Sequence, residues 1–224
     1  MITNFLSYFL NREELFIKLC VFSSLFFLAF SGISYRKKTN KLLLGVVGIS
    51  SFNEVLCSLI QSFEGNIAIT TNVVIVTLNI LWFYILYYVF NLNTKKILVL
   101  PFLYLIFSFY NTLSIEGLYT FNYHVFISGS LLYVLIFIIL SFYYLKEENF
   151  SFYLSNEYLL ILAPLLFFIG ASFLFGFKDS NLTRVVIFKS VTVYTFIMNI
   201  SNFICYTLIN IYIYRERKQI AHAS

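Results

Sequence analysis

Five side chains in this 224-residue sequence could do chemistry in a place where chemistry is costly: Lys18, Asn53, Glu54, His124 and Lys189. Each sits in, or at the start of, a long apolar run. An ionisable group inside a bilayer costs about 3 kcal/mol or more unless it is paired or faces a wet cavity. Counting at ~1.5 Å per helical residue, Lys18 lies about 5 Å, Glu54 about 9 Å and Lys189 about 6 Å from the outer ends of their runs. His124 starts its run at the same level. These groups therefore fall in one layer, the outer third of a helical bundle, with Asn53 and Asn72 beside them, and they suggest a ligand pocket open to the outside. The alternative is plain: Lys18 and Lys189 can snorkel to the interface, His124 can mark a helix start, and Glu54 can serve as a structural carboxylate paired with one of the lysines. If Glu54 were buried without a partner, its pKa would rise and it would respond to protons.

The elements that must carry this layer are apolar runs at 15–34, 42–60, 67–90, 97–112, 122–144, 157–176 and 185–213. The composition is 60% hydrophobic, 21% aromatic and only 11% charged, well below the charge of a soluble domain. Repeated runs near the ~20-residue spanning length place the chain among polytopic membrane proteins. The sequence thus predicts an all-α fold, a single seven-helix transmembrane domain over 1–224. The short stretch at 2–10 is expected to lie along the interface.

Charge placement sets the orientation, because Lys and Arg in short loops prefer the cytoplasm. Arg36, Lys37, Lys38 and Lys41 follow the first run, Lys95 and Lys96 the third, Lys146 the fifth, and Arg215, Arg217 and Lys218 the seventh. Only Arg12, Lys178 and Arg184 fall on the other face. The amino terminus is predicted outside and the carboxyl terminus inside. Dropping the short fourth run, which begins near Pro101, would scatter this pattern. The last ten residues, RERKQIAHAS, read as a basic cytoplasmic tail able to touch anionic lipid headgroups.

Several classes are excluded. The basic residues lie in loops rather than on one helix face, which argues against nucleic acid. Cys20, Cys57 and Cys205 are far apart with no CxxC pair, so neither a zinc site nor a disulfide framework is signalled. HExxH, GxSxG, GxGxxG and P-loop patterns are missing, and His124 and His222 fall on opposite sides of the predicted membrane. No catalytic residue, metal or cofactor is predicted. A second polar set, Asn79, Asn199 and Asn202 together with Ser201 and Asn210, is uncharged and reads as hydrogen-bonding adhesive between helices.

The order of features resembles small seven-helix integral membrane proteins of Bacteroidota, a group whose function is generally unassigned. The likeness rests on Asn53–Glu54 in the second run, TLNILWFYILYYVF (77–90), GSLLYVLIFIILSFYYLKEENF (129–150), PLLFFIGASFLFGF (164–177) and IMNISNFICYTLINIYIY (197–214). Members of that group look like frequent companions of sensor histidine kinases. The resemblance implies a receptor-like, signalling role with a cytoplasmic partner, and carries over no catalytic residue.

Three functions from different classes follow. The first is a sensory module that binds a ligand or proton around Glu54 and reports to a cytoplasmic signalling protein. The second is a structural or accessory subunit packed among other membrane subunits. The third is a small lipid-handling enzyme using Glu54 and His124 on a headgroup. The bacterial cytoplasmic membrane is the expected location. The Phe and Tyr wealth also fits an AT-rich organellar genome, which makes an organellar inner membrane the alternative.

Overall fold

The computed structural model describes residues 2–10, 12–91, 99–188 and 191–223, and these are overwhelmingly helical. In chain order the helices are α1 (Ile2–Phe9), α2 (Arg12–Phe30), α3 (Lys38–Ser62), α4 (Ala68–Val89), α5 (Val99–Ser114), α6 (Tyr123–Lys146), α7 (Phe150–Tyr153), α8 (Asn156–Gly176) and α9 (Val193–Ala223). Among the described residues, five helices are long and apolar enough to cross a membrane: α3, α4, α6, α8 and α9. The apolar parts of α2 and α5 are shorter, Leu15–Phe30 and Val99–Ser114.

The long helices are apolar on every side rather than along one stripe, as expected where a lipid-facing surface is as greasy as the core. Phe26, Phe30, Phe109 and Phe142 are exposed, while Trp82, Phe83, Tyr133, Ile161 and Phe168 fill the interior. Some inner polar groups pair across helices. Tyr133 donates to the Ile161 carbonyl across α6 and α8 at 2.7 Å. Asn79 on α4 donates to the Tyr104 hydroxyl of α5 at 3.0 Å, and Tyr104 donates onward to the Val125 carbonyl of α6 at 3.3 Å. Gly129 makes this three-helix junction possible: a Cβ there would stand 2.7 Å from Asn79 Nδ2 and 2.8 Å from the Tyr104 hydroxyl.

Each apolar run of the sequence contains a helix, but two boundaries are corrected. The first helix starts at Arg12 and stops at Phe30, before 34, because Gly32 adopts a left-handed φ of +69°. Ser31 and Tyr35 then turn back onto the Leu28 carbonyl. The last run is not helical from 185. Its start, rich in β-branched Val and Ile, forms β1 (Val186–Phe188), paired antiparallel with β2 (Val191–Thr192), as such residues favour extended backbone. Helix α9 begins only at Val193 and continues through the basic segment to Ala223. The stretch read as a tail is therefore the last turns of the longest helix.

Candidate functional site

Lys18, Asn53 and Glu54 meet at one place. They line a half-open cavity of about 410 Å³ bordered by α2, α3, α4, α6, α8 and α9. Lys18 enters from α2 and is 2% exposed. Its Nζ donates to the Tyr8 carbonyl of α1 at 3.1 Å and to Ser58 Oγ of α3 at 3.4 Å, and lies 5.6 Å from the Phe9 ring centre. The end of α1 thus helps to hold this cation in place. On α3, Asn53, Glu54 and Cys57 are successive wall residues, spaced i, i+1 and i+4 so that they share a face. Cys57 donates to Asn53 Oδ1 at 3.4 Å.

Asn199 and Asn202 of α9, read from the sequence as packing amides, also line this cavity. Asn202 donates back to the Met198 carbonyl of its own helix at 2.8 Å. Asn199 Oδ1 is buried with no hydrogen-bond donor. The lining is also aromatic. Phe121, Phe126, Phe167 and Phe175 pack ring against ring, with Phe175 5.1 Å from Phe121 and 5.0 Å from Phe126. The arrangement combines polar hydrogen-bonding groups with an apolar aromatic cluster, in a volume typical of small-molecule pockets.

His124 is not among the residues lining this cavity. It is 63% exposed, and its Nδ1 lies 2.7 Å from Glu116 Oε1 in the loop between α5 and α6. The same carboxylate accepts from Asn111 Nδ2 at 2.6 Å and from the His124 amide, which places a negative charge on the amino-terminal end of α6, where the helix dipole favours it. Asn72 clamps this loop further, donating to the Thr120 carbonyl at 2.8 Å and accepting from the Asn122 amide at 2.9 Å. Asn79 lies in the α4–α5–α6 junction. Lys189 lies outside the described residues.

The far end of the bundle holds a cluster that sequence reasoning missed. Lys37, just before α3, places its Nζ 2.6 Å from Glu157 of α8 and 2.9 Å from Glu216 of α9. Asn156 donates to Glu216 at 2.9 Å and to the Tyr212 carbonyl at 3.1 Å. Tyr212 donates to Asn40 of α3 at 2.5 Å, and Asn40 donates to the Ser34 carbonyl at 2.9 Å. Glu216, Asn156, Asn40 and Tyr212 are all buried. Burial by itself would lower the Lys37 pKa. The hydrogen-bonded carboxylates of Glu157 and Glu216 outweigh it and hold that pKa above the usual lysine range. One cation thus locks the ends of three helices together. Beside it opens a cleft of about 420 Å³ lined by Lys37, Lys38, Tyr88, Phe152 and Glu157, in which Lys38 lies 4.9 Å from the Tyr88 ring centre.

In the sequence, Lys37 stands among the basic residues that mark topology and Glu216 among those of RERK, and nothing in their spacing joins them. Among the described residues, no group of three His, Cys, Asp or Glu side chains could hold a metal ion. No protein-family model, curated protein or solved structure matches the chain.

Proposed function

We propose that the chain is a seven-span membrane sensor, amino terminus outside and carboxyl terminus in the cytoplasm, that binds a ligand in the Lys18–Glu54 cavity and passes the event to a cytoplasmic signalling protein. The observation that carries this reading is the double role of α9. Its outer part supplies Asn199 and Asn202 to the cavity wall, and its inner part supplies Tyr212 and Glu216 to the Lys37 cluster. No break interrupts the helix between them. A ligand that moves the outer end by an ångström or two loads the ionic lock at the inner end of the same helix, and a change in such a lock is one way small shifts become a switch.

The seven-span count is part of the same proposal. It is supported by the alternation of basic loops along the sequence and by the shorter apolar helices α2 and α5. The partner is of the sensor-kinase kind that the resemblance implies, and it reads the exposed Arg215, Arg217 and Lys218 face around the lock. The test is cross-linking through Lys218 in native membranes, comparing wild type with Glu54→Gln at equal abundance. The reading expects a cytoplasmic signalling protein whose cross-linking yield changes several-fold in the variant. An unchanged yield, or membrane subunits alone at fixed stoichiometry, overturns it.

A further inference from the structure

The cavity described above also carries information about the chemistry of its occupant, and the inference rests on the ligand-binding half of the proposed function. Among the described residues that line the cavity, Lys18 and Glu54 alone carry formal charge. One is a cation and the other a carboxylate, and they stand on adjacent helices, α2 and α3. The remaining polar groups are uncharged, among them the amides of Asn53, Gln61, Asn199 and Asn202 and the hydroxyls of Ser50, Ser58, Thr71 and Thr195. The lining also holds the cluster of four phenylalanine rings.

We propose that the occupant is a net-neutral amphiphile: an uncharged or zwitterionic hydrogen-bonding head against the α2–α3–α9 wall, with an apolar body against Phe121, Phe126, Phe167 and Phe175. The wall already balances its own charge, so an ion entering without a counter-charge must give up its hydration to a site with no net field to replace it. A neutral hydroxyl or carbonyl meets amides and hydroxyls that can donate or accept. A volume of about 410 Å³ is of the size that takes one ring system or a medium acyl chain. Lys18 is held by the Tyr8 carbonyl and the Ser58 hydroxyl, so its charge belongs to the wall.

The test uses the full chain in lipid nanodiscs and three photoreactive ten-carbon probes, with decanol, decanoate and decylammonium as their unlabelled competitors. All are compared at matched concentration in the membrane, and the labelled residues are mapped by mass spectrometry. The alcohol probe is expected to label cavity segments of α3 and α9 saturably, about tenfold or more above either ion. Removing one wall charge should move the preference. Glu54→Gln should shift labelling toward decanoate, Lys18→Gln toward decylammonium, and the double variant Lys18→Gln/Glu54→Gln should restore the preference for the alcohol. Loss of folding alone cannot produce that reversal and restoration. Saturable cavity labelling that ignores probe charge overturns the neutral-ligand inference while leaving a binding cavity in place. Labelling by none of the three overturns the inference and the binding half of the proposed function together.

Discussion

Asn202 and Glu216 stand on the same helix, about 21 Å apart along its axis at ~1.5 Å per residue. The first lines the cavity, and the second lies 2.9 Å from Lys37 Nζ. A single unbroken helix therefore has one end in a candidate binding site and the other in a partly buried ionic lock. Helix α3 repeats the pattern, with Asn53 and Glu54 at the cavity and Asn40 receiving the Tyr212 hydroxyl at the lock.

Removing the lock's cation should be costly. Lys37→Met leaves the Glu157 and Glu216 carboxylates facing each other without their counter-charge, one of them buried. The expected loss is roughly 1–3 kcal/mol, between the values for exposed and fully buried pairs. Lys37→Arg should retain most of it. Thermal unfolding in nanodiscs measures both. Equal melting of wild type and Lys37→Met would show that the pair contributes nothing.

The raised Lys37 pKa has a defined sign. Because the folded value lies above the ordinary 10.5, its stabilisation is fully present below that pH and is lost as pH rises through the raised value. Between pH 7 and 10 this group should add no pH dependence to the melting temperature. Above about 10.5 wild type should lose stability faster than Lys37→Met. Parallel alkaline curves for the two proteins would contradict the assignment.

Gly129 predicts a packing failure. Gly129→Ala drives a methyl group into Asn79 Nδ2 and the Tyr104 ring, at 2.7 and 2.8 Å, and should destabilise by about 1–3 kcal/mol through overpacking. Gly48, which has open space around its missing Cβ, is the control: Gly48→Ala should be neutral or slightly stabilising. A Gly129→Ala protein as stable as Gly48→Ala would remove the close junction from the account.

The apolar runs were legible because bilayer thickness sets a minimum length that few loops imitate. Lys18 and Glu54 were legible because charges are rare inside such runs. Depth along a helix, however, carries no direction around it. His124 shares the predicted level of Glu54 yet pairs with Glu116 in the loop, and Asn199 and Asn202 face a cavity that helical spacing alone does not reveal. The β1–β2 pair was hidden because Val185, Val186 and Ile187 extend an apolar count whether the backbone is helical or extended. The Lys37 lock was invisible for a different reason. Its members come from three distant segments, and only tertiary packing brings 37, 157 and 216 together.

Glu116 should matter more than its histidine partner. Glu116→Ala leaves the Asn111 amide and the His124 backbone N–H without their acceptor, an expected cost of about 1–3 kcal/mol. His124→Ala removes a 63% exposed ring and should cost less than about 0.5 kcal/mol. Hydrogen exchange over 111–126 is the readout. Greater loss of protection in His124→Ala than in Glu116→Ala would reverse the assigned roles.

Coupling between cavity and lock is the central claim, and it can be tested without knowing the natural ligand. In a Cys20→Ala/Cys205→Ala background, N-ethylmaleimide can be attached to Cys57, on the cavity wall, and amide hydrogen exchange followed along α9. The account predicts altered protection at 212–218, the far end of the helix, in addition to the cavity segments, and loss of that distant change in Lys37→Met. Altered exchange confined to the segments around Cys57, with 212–218 unchanged, would contradict it.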